Sequence, residues 1–181
     1  MLAKEYFLKH TPPRLSVFLS YVQDNDLFKH ELQLSKAFAA GMRSFNPDFT
    51  PDYIRQELPN MLDFKKMITL GQTQLVQEEL WTAEANVSAF PIKLGDQVYW
   101  AAITDHWEII SELGQLLAER NGYGAVVRQL TNGLISLSLR SLNKELSTIP
   151  HARLYGGGGH PCASGCRLQT WEEFDNLRVK I

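Results

Sequence analysis

Cysteine is nearly absent: Cys162 and Cys166, four residues apart, are the only two in the chain. They build no disulfide framework, which excludes a small stapled secreted fold and fits a reducing, cytoplasmic setting. No apolar run approaches the ~20 residues that span a bilayer. Met1-Leu2-Ala3-Lys4-Glu5 lacks the basic region and apolar stretch of a secretory leader. A soluble protein with no membrane partner is therefore expected. A surplus of charge is missing too, since 18 Lys and Arg stand against 20 Asp and Glu, for a net charge of −2. That balance excludes a histone-like, polybasic nucleic-acid binder but leaves room for a local basic site. No internal repeat or low-complexity tract appears.

What is present is ordinary globular composition: 181 residues, 44% hydrophobic and 21% charged, enough for one medium domain or two small ones. The N-terminal part reads as helices. Leu15 to Val22 is densely apolar after Pro12-Pro13, and Asp24-Asn25-Asp26 reads as a turn. Ser35 to Arg43 reads as a short helix, and Thr50-Pro51 as an N-cap followed by Pro at the first helical position. Pro59 is expected to open a longer helix reaching Ala85, with Gly71 as a weak point. From Val87 the pattern changes. Val87 to Leu94 and Gln97 to Ile103 flank a Gly95-Asp96 turn, and Ala125 to Leu130 and Leu134 to Arg140 flank Asn132-Gly133. Between the two hairpins, Ser111 to Arg120 is an amphipathic helix stopped by Asn121-Gly122. The boundary between helical and α+β parts is placed near residue 83.

Three features of the second part carry chemistry. On the strand Leu134 to Arg140, alternation sends Ile135, Leu137 and Leu139 to one face and Ser136, Ser138 and Arg140 to the other. The second face suits phosphate oxygens, and equally suits a solvated sheet surface. Gly156-Gly157-Gly158-Gly159-His160-Pro161 is costly to order, so it implies unusual dihedrals or close approach to a ligand. With Pro161 suited to a first helical turn, the expected object is a glycine loop at a helix N-terminus, where amides and dipole favour an anion. From Arg120 to Arg167 there are six basic residues (Arg120, Arg128, Arg140, Lys144, Arg153, Arg167) against one acid, Glu145. That local field fits a nucleotide or short oligonucleotide better than a long duplex. His160, Cys162 and Cys166 could also supply zinc ligands, the cysteines sharing a helix face, though small buried cysteines explain the spacing equally well.

Leu154 to Gly165, with its glycine run, His160 and the small Ala163-Ser164-Gly165, resembles the signature of the DHH-associated domain of DHH-family phosphoesterases. Ser111-Glu112-Leu113-Gly114 and Ser136-Leu137-Ser138-Leu139-Arg140-Ser141 resemble the family's other stretches, in the expected order. Ser164 departs from the family's usual Ala, and Pro150 is expected to shorten a helix ahead of the loop. Tyr21 to Phe28 resembles the late acidic segment of the catalytic domain, where one Asp binds metal. The resemblance maps that ligand to Asp24, with Asp26 as second choice, and Mn²⁺ or Mg²⁺ as the metal.

The resemblance implies an α+β fold: a helical remnant of the catalytic domain with a linker helix (1–82), then a mixed-sheet, substrate-binding associated domain (83–181). It implies nucleotide or short single-stranded oligonucleotide binding through Arg140, Ser136, Ser138, Gly157, Gly158, Gly159 and His160. The motifs that build the family's two-metal centre, including the Asp-His-His triplet, have no counterpart ahead of Asp24. Asp105-His106 is followed by Trp107 and reads as capping or surface chemistry. The chain is thus expected to be the C-terminal portion of a phosphoesterase, incomplete as a catalyst unless a separate N-terminal half or a homodimer mate completes it. A degenerate nucleotide-binding protein and an oligomerisation module, like the domains that end some alanyl-tRNA synthetases, are the alternatives.

Overall fold

The computed structural model describes residues 13–27, 29–44 and 50–179, the side chain of Ile54 excepted. Pro12 and Phe28, part of the patterns above, lie outside the described residues. The chain divides into two compact units, Met1–Gln77 and Glu78–Ile181. Among the described residues no helix is long and apolar enough to cross a membrane.

The first unit is helical: α1 (Pro13–Asp26), α2 (Ser35–Arg43), α3 (Pro51–Met61) and the first half of α4 (Phe64–Val87). Phe18, Phe38, Met61 and Met67 form its core, with the Phe38 and Phe64 rings stacked 5.2 Å apart. Thr50 caps α3 as expected, its Oγ1 accepting the Tyr53 amide at 3.2 Å. Three details differ from the sequence reading. Asp24-Asn25-Asp26 is the last turn of α1 rather than a free turn. Pro59 lies inside α3, two residues from its end, rather than opening the helix that follows. Gly71 is a crossing point, not a weak one: a Cβ there would sit 1.6 Å from the Ala37 carbonyl oxygen of α2.

The second unit is a six-stranded mixed sheet of order β1-β2-β3-β4-β6-β5, giving the expected α+β class. The strands are β1 (Phe90–Leu94), β2 (Gln97–Ile103), β3 (Tyr123–Gln129), β4 (Ile135–Ser141), β5 (Gly158–His160) and β6 (Ala163–Leu168). The helices are α5 (Ile110–Ala118), α6 (Ile149–Arg153) and α7 (Trp171–Asp175). Only β2 and β3 pair in parallel, as a crossover through α5 requires. Both hairpin turns stand where Gly95-Asp96 and Asn132-Gly133 place them, with Gly95 at φ 63° and Gly133 at φ 84°.

One face of this sheet is dry. Ile135, Leu137 and Leu139 pack there with Tyr99, Val127, Ala152 of α6 and Phe174 of α7. On the other face Leu113 and Leu117 of α5 cover Ala102 and Val126. Since α5 packs on β2, β3 and β4, the β6 and β5 side of that face is left to other groups.

Candidate functional site

Strand β4 alternates as its sequence requires: Ile135, Leu137 and Leu139 are fully buried, while Ser136, Ser138 and Arg140 are half-buried on the face that α5 shares. Ladder register continues this face across the sheet. Ser138 stands opposite Gly165 of β6, which stands opposite Gly158 of β5. That row carries no side chain larger than a hydroxymethyl group, and a cleft of about 440 Å³ opens there. Ser136, Ser138, Gly165 and Arg167 line it from the strands, and Tyr155 to Gly158 from the loop.

The loop is not at a helix N-terminus, which corrects the sequence expectation. The glycines follow the C-terminal end of α6 and lead into β5, and Ala163 to Leu168 is a strand rather than a helix. Gly156 takes a left-handed φ of 70°, its amide donating to Arg153 O at 3.1 Å and that of Gly157 to Ala152 O at 2.9 Å. This is a Schellman cap, with glycine where the chain must turn left-handed. The helix dipole end beside the loop is the negative one, so it offers an anion no help. Gly157 is also pinned sterically, because a Cβ on it would lie 2.1 Å from the Gly165 carbonyl oxygen.

Arg140 lies beside the cleft rather than in its wall. Its Nη1 donates to Leu139 O at 3.0 Å and its Nη2 to Ser111 Oγ at 3.1 Å. Burial pushes the guanidinium below the usual arginine range, and Glu112 nearby opposes that shift. The Ser111-Glu112-Leu113-Gly114 stretch therefore serves Arg140: Ser111 accepts its hydrogen bond, and bare Gly114 leaves space for its stem. His160 is exposed on the edge strand, on the same face as Arg140, with Ala163 between them. Strand spacing puts the two Cα atoms about 10 Å apart. Buried Ser164 donates to Thr148 Oγ1 at 2.7 Å, and Thr148 in turn donates to Pro161 O, tying β6 to the start of α6.

Asp24 and Asp26, the residues the resemblance offers to a metal, sit in unlike settings. The Asp24 oxygens accept the Glu31 amide at 3.0 Å and the Leu32 amide at 3.4 Å, and Asp26 is exposed at the helix end. Among the described residues no three His, Cys, Asp or Glu side chains converge as metal ligands would. The zinc alternative fails on alternation. Cys166 faces the dry core while His160 lies on the opposite face, and burial pushes the Cys166 thiol up to about 11, away from a ligating thiolate. Asp105-His106 has the modest role expected of it: the His106 amide donates to Thr104 Oγ1, and its ring stacks on Trp81 at 3.7 Å.

Sequence reasoning missed Arg167 and Tyr155 in the cleft wall. Reading the stretch after Pro161 as helical removed the pairing that sets Arg167 opposite Ser136.

No family model matches the chain, and no curated protein does. Among solved structures the chain is similar to a pGpG-specific phosphodiesterase from Vibrio cholerae. That alignment covers 97% of this chain and 68% of the other, with TM-score 0.55 and 11% identity. An exopolyphosphatase-related protein from Bacteroides fragilis aligns over 91% of this chain and 54% of its own, with TM-score 0.42 and 16% identity. An uncharacterized protein from Helicobacter pylori G27 does so over 95% and 62%, with TM-score 0.37 and 14% identity. The first of these likenesses shows the fold alone, one shared with that phosphodiesterase.

Proposed function

We propose that the second unit holds the phosphate of a nucleotide or short single-stranded oligonucleotide in the β4–β6–β5 cleft. In this reading the chain is the substrate-binding portion of a Mn²⁺- or Mg²⁺-dependent phosphoesterase, not catalytically complete alone. The observation that carries the reading is the cleft itself. Two serine hydroxyls, loop backbone and an exposed arginine converge on about 440 Å³ of open space over a row of small residues. Serine hydroxyls and a guanidinium donate hydrogen bonds that phosphate oxygens accept, strongly where charge assists.

Ser136 and Ser138 donate from the floor, Gly158 closes the loop side, and Arg140 and His160 donate from the far row. Gly157 is removed from the donor set, since its amide already serves Ala152. The structural likeness to an enzyme specific for pGpG supports a nucleotide ligand. The missing metal-binding groups would come from a separate N-terminal half.

Ser138→Asp tests the reading, because it sets a carboxylate on the cleft floor beneath the ligand's phosphate. Calorimetric titration of the full chain with a dinucleotide should show binding at least about tenfold weaker for this variant. His160→Ala should weaken it too. Undiminished affinity in both variants would remove the cleft from the ligand's path.

A further inference from the structure

Helix α6 is little more than one turn, Ile149–Arg153, too short to hold its shape without contacts to the sheet. It nevertheless sets the cleft wall, because the Ala152 and Arg153 carbonyls accept the Gly157 and Gly156 amides at 2.9 and 3.1 Å. We propose that His151 is the positioning residue of this wall: through Tyr99 of β2 it fixes α6, and through α6 the glycine loop. The proposal rests on the reading that the cleft binds nucleotides, and it adds a residue outside the lining that controls the cleft's shape.

Three observations carry it. First, Tyr99 is fully buried in the dry core, where its hydroxyl has one hydrogen-bond partner among the described residues, His151 Nδ1 at 2.7 Å. Burial pushes that hydroxyl well above the usual tyrosine range, with Tyr123 and Cys166 adding to the shift, so it keeps its proton and donates it. A buried hydroxyl that loses its acceptor is costly, so the pair ties α6 to β2 in one orientation. Second, the imidazole is held on its other sides. Its Nε2 lies 3.8 Å from Asp96 Oδ1 at the β1–β2 turn, which favours the tautomer with Nε2 protonated and Nδ1 free to accept. The Tyr99 and Tyr123 rings meet it edge-on at 5.6 and 5.8 Å.

Third, the other fixed point of α6 is its start. Thr148 is bound there to Pro161 O, through its amide and its hydroxyl, and to Ser164 Oγ. Attachment at Thr148 alone leaves so short a helix free to swing and to carry Gly156 and Gly157 with it. Attachment at His151 as well fixes its direction. Leu154, just past α6, lies against bare Gly95, where a Cβ would meet its Cδ1 at 2.8 Å. The β1–β2 turn therefore meets this segment twice, at His151 through Asp96 and at Leu154 through Gly95.

The experiment compares Tyr99→Phe, His151→Leu and His151→Asn in the full chain. Each is titrated calorimetrically with the 5′-phosphorylated dinucleotide pApA, and amide hydrogen exchange is followed at Gly156 and Gly157. Tyr99→Phe removes one oxygen from the core and no donor from the cleft. It should still weaken pApA binding about fivefold, the worth of one hydrogen bond, and speed exchange at both glycines. His151→Leu should do the same, and combining the two should cost no more than either alone. His151→Asn keeps an acceptor near the Nδ1 position and should bind pApA as the parent does. Unchanged affinity and exchange in Tyr99→Phe, with only the urea midpoint lowered, would make the pair a stabilising contact and overturn the proposal. So would an Asn variant no better than the Leu one. A parent that binds no pApA overturns the cleft reading instead, and exchange at Gly156 and Gly157 then decides the tether by itself.

Discussion

Asp24 ends a helix and then holds the chain that follows it. The hydroxyl of buried Ser35 draws its pKa down first, then the Glu31 and Leu32 amides and the charge of His30, against burial, which pushes it up. Ser35 Oγ makes no hydrogen bond of standard length, so the two amide contacts are the firmer support. A carboxyl held below its ordinary 3.8 contributes stability that is present above that pH and fades as the pH falls through the lower, folded value. Asp24→Asn removes the titrating group, so the variant's urea midpoint should depend less on pH below about 4 than the parent's. Midpoints that fall in parallel from neutral pH to pH 3 would show that Asp24 is not the group responsible. The same two amides give Asp24 a structural role beside the one the resemblance assigns it. An acidic position in a familiar segment is legible in sequence, whereas the loop that folds back onto its oxygens is not.

The elements that sequence reading recovered are those whose cause is local. Gly95-Asp96 is a two-residue turn and Thr131-Asn132-Gly133 a three-residue loop with left-handed Gly133, both fixing the strands on either side, and Thr50 caps α3 with its own hydroxyl. Alternation along β4 likewise sorted its hydroxyls from its core side chains. The hairpin of β5 and β6 was not legible. Gly158 to Leu168 carries neither a helical nor a two-residue period, and β6 is a strand because β4 pairs with it from some 25 residues away in sequence. That pairing also explains what the glycines are for. Gly157→Ala forces a Cβ against the Gly165 carbonyl and the Cys166 side chain, an overpacking that should cost about 1–3 kcal/mol in denaturant unfolding. A Cβ on Gly158 meets nothing within 4 Å, so Gly158→Ala should leave stability near the parent's while narrowing the cleft and weakening dinucleotide binding. Equal stability loss in the two variants would mean that the close approach of Gly157 to β6 is not what constrains the run.

Across the whole molecule a net charge of −2 leaves no diffuse attraction for nucleic acid, so binding must come from a few placed groups. The six basic residues read from sequence as one field are in fact divided. Arg120 sits 4.5 Å over the Trp100 ring and donates to Asn86, whereas Arg128, Arg140 and Arg167 share the cleft face. That division predicts a shallow salt dependence. Each neutralised single-strand phosphate contributes a slope of about −0.7 in log K against log salt, so two phosphates give roughly −1.4. Binding of pApA should follow that line between low and moderate salt, flattening by about half in Arg167→Gln as one phosphate loses its partner. Chelation by EDTA should leave it unchanged, since no described carboxylate set holds a metal at the cleft. A slope several times steeper would instead mean that scattered surface charge, and not the groups around the cleft, attracts the ligand.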